Sequence, residues 1–279
     1  MQTFFFRNFL LMTKDTNAKQ SYSAKSIGVL KGLEPVQKRP GMYTNTENPN
    51  HICQEVVDNS FDEVLAGFAG KITVELGEDN SITVEDDGRG IPVDIHPTEK
   101  KPAVEVIFSV LHSGGKFGGG NDSAYGFSGG LHGVGVSVTN ALSKRIEVTV
   151  WKDKHEHTLA FENGSLVEKL SSTKLPKELK DKRGTRIKIW PDGKYFDHPT
   201  LAINEFEKFL KSKAVLLKGV EVQWSRPGRS TVIWKFDGGM EQYLNEAVES
   251  QENWVTPRFY CELTQESVAG NQPGEGFDL

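Results

Sequence analysis

Cysteine is nearly missing from this chain. Its 279 residues contain two, Cys53 and Cys261, too few and too far apart for a disulfide framework or a thiolate metal set, and suited to a reducing compartment. Net positive charge is missing too: the formal charge is −5, so no bulk field draws the chain toward nucleic acid. The basic stretch Lys174, Lys177, Lys180, Lys182, Arg183 and Arg186 reads as a solvated face. No segment approaches the roughly 20 apolar residues of a membrane span. Phe4-Phe-Phe6 and Phe9-Leu-Leu-Met12 faintly resemble the apolar core of a secretory signal but are short, broken by Arg7 and Asn8, and followed by no small-residue cleavage site, so this segment is not expected to act as one. Residues 1–20 are expected to be a disordered extension, either unstructured or the product of translation begun upstream of a natural start at Met12. There is no Gly-x-x-x-x-Gly-Lys-Ser/Thr loop and no dinucleotide fingerprint behind a strand, so the two commonest phosphate-binding motifs are excluded.

Four other motifs are present, in a fixed order: Glu55-Val-Val-Asp-Asn59, Asp86-Asp-Gly-Arg-Gly90, a Gly-rich run from Gly114 to Gly120, and Gly129-Gly-Leu-His-Gly-Val-Gly135. At about 100° per residue, Ile52, Cys53, Val56, Val57, Phe61, Val64 and Leu65 fill one broad arc of a helix, and His51, Glu55, Asn59 and Asp62 line the other side. Glu55 and Asn59 therefore project into the same space, one turn apart.

Ile72, Val74 and Leu76 alternate, residues 77–80 are turn-forming, and Ile82 and Val84 alternate again. This pattern predicts a hairpin that leaves Asp86 at a strand end. A carboxylate accepts hydrogen bonds only, so it can take one from an exocyclic amine and tell adenine from guanine. Gly88 and Gly90 allow the backbone to turn tightly beside a flat ring. Ten of the 28 glycines fall between Gly114 and Gly135, a lid candidate that can turn successive N–H groups toward an anion. It runs into a predicted helix start at Val134 to Leu142, where open N–H groups suit phosphate. A carboxylate, an amide, an amine acceptor and an anion cradle are together the groups an ATPase needs.

Further strands are predicted over 146–150, 157–161 and 185–189, and helices over 102–111 and 201–217. A closing hairpin is predicted from 220–224 and 231–236 around Arg226-Pro-Gly-Arg229, followed by a helix after Gly238 and Gly239. The expected architecture is α/β (α+β), a two-layer sandwich of a mixed sheet and helices.

These motifs, with Ser21-Tyr-Ser-Ala-Lys-Ser26, Arg39-Pro-Gly-Met-Tyr43, Gly184-Thr-Arg-Ile187 and Trp190-Pro191, resemble the GHKL (Bergerat-fold) ATPases, and among them the B subunits of bacterial type II topoisomerases. The short connection Thr44 to His51, with Leu33 to Lys38 and Phe161 to Gly164, is more similar to the topoisomerase IV branch than to gyrase. The resemblance implies that Glu55 is the general base polarising water for attack on the γ-phosphate of ATP, oriented by His51, and that Asn59 is the protein ligand of Mg²⁺. It implies that Asp86, with Thr185 and an ordered water, reads adenine beside Gly90, Ile91 and Pro92. Lys116, Tyr125 and the backbone through Leu131, His132, Gly133, Val134, Gly135 and Val136 would form the phosphate-binding lid. Arg89 with Glu63 would flank the pocket mouth, and Tyr22 would reach the nucleotide of a partner protomer. Lys152 stands where relatives commonly carry an arginine that contacts aminocoumarin inhibitors, and lysine lacks that planar fork.

The same resemblance implies an ATPase domain over 21–237 and the start of a transducer domain over 238–279, without the transducer lysine that contacts the γ-phosphate. It implies ATP-dependent dimerisation with a second B subunit, an A2B2 complex with the A subunit, and DNA as substrate, in the bacterial cytoplasm and without membrane attachment. Residues 1–279 alone are expected to be monomeric and slow. Gyrase B and a non-catalytic nucleotide-gated dimerisation module are the alternatives; Glu55 speaks against the second, because a clamp needs no base.

Overall fold

Strand alternation over Ile72 to Val84 closes into a tight hairpin. In the computed structural model, which describes residues 28–113 and 134–249, β1 (Lys71–Leu76) and β2 (Ile82–Asp86) pair antiparallel with Ile72 opposite Asp86 and Leu76 opposite Ile82. The turn is held by Asp79, whose Oδ1 accepts from the Ser81 backbone N at 3.1 Å and the Ser81 hydroxyl at 2.6 Å. These bonds, with one from the Trp190 indole, hold the Asp79 carboxyl near 2.

Six further strands complete one sheet: β3 (Ser143–Lys152), β4 (His155–Glu162), β5 (Ser165–Lys174), β6 (Gly184–Pro191), β7 (Glu221–Ser225) and β8 (Val232–Lys235), in the order β5-β4-β3-β6-β2-β1-β7-β8. Among the described residues only β1 and β7 pair parallel. The period of two puts apolar side chains on one face. Trp224, Val74, Val84, Ile187, Val148 and Leu159 form one cross-strand row of buried residues, and Leu76, Ile82, Ile189, Ile146 and Phe161 form another. The opposite face carries Thr73, Glu85, Arg186, Thr149 and Thr158 in register. A mixed sheet with helices on one face is the expected two-layer α+β arrangement.

The helices on the apolar face are α1 (Glu34–Lys38), α2 (Asn50–Leu65), α3 (Ala103–Ser109), α4 (Gly135–Ala141), α5 (Ile203–Leu216) and α6 (Gly239–Glu249). α2 begins where Asn50 exchanges two hydrogen bonds with Ala202, Nδ2 donating to the carbonyl at 3.1 Å and Oδ1 accepting from the amide at 3.0 Å. Its apolar arc is buried as the spacing predicts, through Ile52, Cys53, Val56, Val57 and Phe61. Burial pushes the Cys53 thiol up to about 12, so it acts as packing and not as a nucleophile. Two expectations fail at the edges of that arc. Asp62, expected on the open side, is 1% exposed, and Leu65, expected inside, is 51% exposed. α2 touches α4 and α5 as well as β2 and β6, so burial spreads beyond the arc facing the sheet, and Leu65 is the last helical residue.

Of the predicted helix 102–111 only Ala103–Ser109 is helical, because Val110 is extended at φ −119°, ψ 126°. Strand β5 has no apolar alternation to announce it. The basic stretch is less solvated than its composition suggests: Lys182 and Arg186 lie over the Trp151 ring, with Nζ 3.5 Å and Cζ 4.9 Å from its centroid, and both pair with Glu85.

Candidate active site

The polar end of the sheet's helix-covered face is where the predicted residues converge. One step beyond the apolar rows, Ile72, Asp86, Thr185, Val150 and His157 stand in cross-strand register. Asp86 is 7% exposed and Thr185 6%. The carboxylate is held from two sides: Oδ1 accepts from the Gly88 amide at 2.9 Å, and Oδ2 accepts from the Ser60 hydroxyl at 3.0 Å. Desolvation still dominates and raises the Asp86 carboxyl from 3.8 to about 6. Each oxygen keeps lone-pair capacity for a further donor, as an amine acceptor requires.

Two glycines make this corner possible. Gly184 has φ +120°, and a Cβ there would come within 1.9 Å of the Asp86 carbonyl oxygen; only glycine lets β6 start this close to the end of β2. Gly90 turns at φ +76°, bringing the Ile91 amide to donate to Thr185 Oγ1 at 3.2 Å. Thr185, Ile91 and Asp86 are thereby joined in one wall.

Arg89 and Glu63 form the predicted pair. Arg89 donates to Glu63 from its backbone N at 2.9 Å, from Nε at 3.0 Å and from an Nη at 2.7 Å. Such a bidentate fork is rigid. The guanidinium also lies over the Phe68 ring at 3.9 Å, and Lys152 Nζ donates to the Arg89 carbonyl at 3.3 Å. Lys152 is thereby tied to the Arg89 and Glu63 pair.

Glu55 and Asn59 lie half-buried on α2, one turn apart. The start of α4 is pressed onto Glu55: a Cβ added at Gly135 would fall 1.9 Å from Glu55 Oε2 and 2.7 Å from Cδ. His51 Nε2 is 3.9 Å from Glu55 Oε1, and Thr44 Oγ1 is 2.8 Å from His51 Nδ1. Gly135 is therefore against Glu55, with Val134 and Val136 its chain neighbours. Tyr22, Lys116, Tyr125, Leu131, His132 and Gly133 lie outside the described residues, and no described contact places Pro92 against the site. Sequence reasoning missed Ser60 and Thr44. Ser60 immediately follows Asn59 on α2 and could have been suspected from that alone, whereas Thr44 lies outside any helix or strand.

A profile of the histidine kinase-, DNA gyrase B- and HSP90-like ATPases matches residues 44–194, the span that carries this site. The chain belongs to that ATPase family. The DNA topoisomerase 4 B subunit of Francisella tularensis is 49% identical over 233 residues, 83% of this chain and 36% of that protein. The Escherichia coli protein of the same name is 51% identical over 230 residues, 82% of this chain and 36% of its own length. The mitochondrial DNA gyrase B subunit of Arabidopsis thaliana is 43% identical over 245 residues, 84% of this chain and 33% of that protein. The chain spans about a third of the length of these curated relatives. Among solved structures, the topoisomerase IV ATP-binding domain of F. tularensis, in complex with a small-molecule inhibitor, superposes with a TM-score of 0.64 at 45% identity, covering 76% of this chain and 98% of that one. The 43K ATPase domain of Thermus thermophilus gyrase B, in complex with an aminocoumarin, gives 0.69 at 35%, covering 82% of this chain and 58% of that one. Of the four motifs, the first two, with Gly135 at the end of the fourth, lie among the described residues around this site. Among the described residues no helix is long and apolar enough to cross a membrane.

Proposed function

We propose that this chain binds ATP with Mg²⁺ and hydrolyses it as the ATPase region of a topoisomerase IV B subunit, driving ATP-dependent DNA strand passage, that is decatenation and relaxation. The observation that carries the reading is the pairing of two carboxylates in different settings. Asp86 is buried and hydrogen-bonded at one end, suited to hold an adenine amine. Glu55 is half-exposed against Gly135 at the other, suited to take a proton.

Phosphoryl transfer asks the protein chiefly for positioning and charge neutralisation. Glu55 accepts a proton from water as the water oxygen bonds to the γ-phosphorus, and the bond to the β–γ bridging oxygen breaks. Asn59 would be the protein ligand of Mg²⁺, its amide oxygen suiting a hard cation that keeps water and phosphate oxygens as its other ligands; the ion would neutralise phosphate charge. Asp86, Thr185, Gly90, Ile91 and Pro92 hold the base. Lys116, Tyr125 and residues 131–136 close on the phosphates, and Tyr22 reaches the nucleotide of a second protomer.

The domain boundaries follow the same reading, with an extension over 1–20, the ATPase domain over 21–237 and the start of a transducer from 238. The partners are a second B subunit in an ATP-dependent dimer, an A subunit in an A2B2 complex, and DNA, in the bacterial cytoplasm. Gyrase B, with negative supercoiling as its reaction, is the second reading, favoured by the 43% identity to a gyrase relative.

Calorimetric titration of the chain with ATP and with GTP, each with Mg²⁺, tests the nucleotide half. ATP is expected to bind and GTP to bind at least about fivefold more weakly, since one mismatched buried hydrogen bond costs about 1–3 kcal/mol. Equal affinities would remove Asp86 from the role of base reader.

A further inference from the structure

We propose that Thr44 is a positioning residue that holds the His51 ring with its proton on Nε2, facing the Glu55 carboxylate. The inference rests on the reading of Glu55 as general base and adds a third member to that pair.

The hydroxyl of Thr44 lies 2.8 Å from His51 Nδ1 and 3.5 Å from the Asn45 carbonyl. A hydroxyl hydrogen bond is optimal near 2.7–2.8 Å and has lost most of its strength by about 3.5 Å, so the ring contact is the short one, and in the proposed arrangement the hydroxyl is its donor. A neutral imidazole carries one donor and one acceptor. With Nδ1 accepting from Thr44, the ring proton sits on Nε2, 3.9 Å from Glu55 Oε1. The other Glu55 oxygen occupies the space that a Cβ of Gly135 would fill. The carboxylate thus lies between the His51 ring edge and a glycine.

This tautomer matters for a base. An N–H facing Glu55 favours the ionised carboxylate, the form that accepts the proton from water. The other tautomer turns a nitrogen lone pair toward that carboxylate and favours its protonated form. Thr44→Val keeps the side-chain shape and removes the hydroxyl that fixes the choice, and Thr44→Ser keeps it. Thr44 lies outside every helix and strand, so neither change disturbs an element.

Two measurements decide. In ¹⁵N spectra of this chain at pH 8, His51 is expected as the Nε2–H tautomer in the wild type and in Thr44→Ser, and as a mixture in Thr44→Val. In steady-state turnover of a chain extended through the transducer, Thr44→Val is expected to lower kcat roughly tenfold, part of the about 10²–10⁴ a general base contributes. KM for ATP should stay within about twofold, because the interaction acts in the transition state, and Thr44→Ser should restore the rate. A wild-type Nδ1–H tautomer, or a Thr44→Val enzyme with unchanged kcat beside an inactive Glu55→Ala enzyme, would overturn the proposal. Retained turnover in Glu55→Ala would instead overturn the general-base reading and the catalytic part of this one, while the spectra still decide the contact itself.

Discussion

Asp86 at the end of β2 stands directly opposite Thr185 near the start of β6, and both side chains are more than nine-tenths buried. Burial makes the carboxylate discriminating, because an unpaired group there costs its desolvation. Asp86→Asn exchanges one acceptor oxygen for a donor amide facing an incoming amine. A charged hydrogen bond of this kind is worth about 1.5–3 kcal/mol, so ATP affinity is expected to fall roughly ten- to a hundredfold by calorimetry. An unchanged dissociation constant would place the adenine elsewhere.

The same burial predicts opposite pH trends for binding and for stability. Asp86 titrates near 6 in the folded chain against an ordinary 3.8, so the folded state holds this proton more tightly than the unfolded one. Its contribution to stability is therefore most favourable below about pH 4 and declines as pH rises from about 4 to 6, by roughly 3 kcal/mol in full. ATP binding needs the ionised form and should weaken as pH falls below 6. The nucleotide-free Asp86→Asn chain is thus expected to melt a few degrees above wild type at pH 7.5 and to lose that advantage at pH 4.5. A lower melting temperature at both pH values would mean that the Gly88 and Ser60 hydrogen bonds outweigh desolvation.

Glu55→Ala separates binding from chemistry. Glu55 is half-exposed at the far end of the site from the Asp86 wall, so its loss should leave ATP affinity within about threefold while turnover drops by about 10²–10⁴. Turnover is measured in a chain extended through the transducer, where the expected slow rate of residues 1–279 does not mask the loss. Parallel losses in affinity and rate would make Glu55 a binding residue.

How much of this was legible depended on whether the signal was periodic or tertiary. The β1–β2 hairpin and the apolar arc of α2 were readable because alternation and 3.6-residue spacing encode a buried face directly. Glu55, Asn59 and Asp86 followed from their places on those elements. Asp62 was misread because α4 and α5 flank α2 and bury more than one arc. β5 was invisible because Ser165–Lys174 is mostly exposed and is held by backbone pairing with β4, which no side-chain pattern records. Lys182 and Arg186 looked solvated since nothing local predicts the Trp151 ring beneath them. Ser60 and Thr44 act on residues 26 and 7 positions away, contacts that only the fold creates.

Gly135 offers a test that moves the carboxylate without deleting it. Its φ is not in the left-handed region, and it opens helix α4, where alanine is intrinsically the better residue. Gly135→Ala should therefore leave the melting temperature within about two degrees of wild type. The added Cβ would overlap Glu55 Oε2 at 1.9 Å, and the far end of a flexible side chain yields before backbone does, so the cost falls on the position of Glu55. Turnover is expected to drop at least tenfold, since a small misplacement of a reacting group costs on the order of 10²-fold. The decisive comparison is the double variant Gly135→Ala with Glu55→Ala. If glycine acts only by making room for the carboxylate, the double variant should turn over no more slowly than Glu55→Ala alone, as expected for residues that act as a unit. Multiplying losses would show that the methyl group at position 135 obstructs the phosphates themselves.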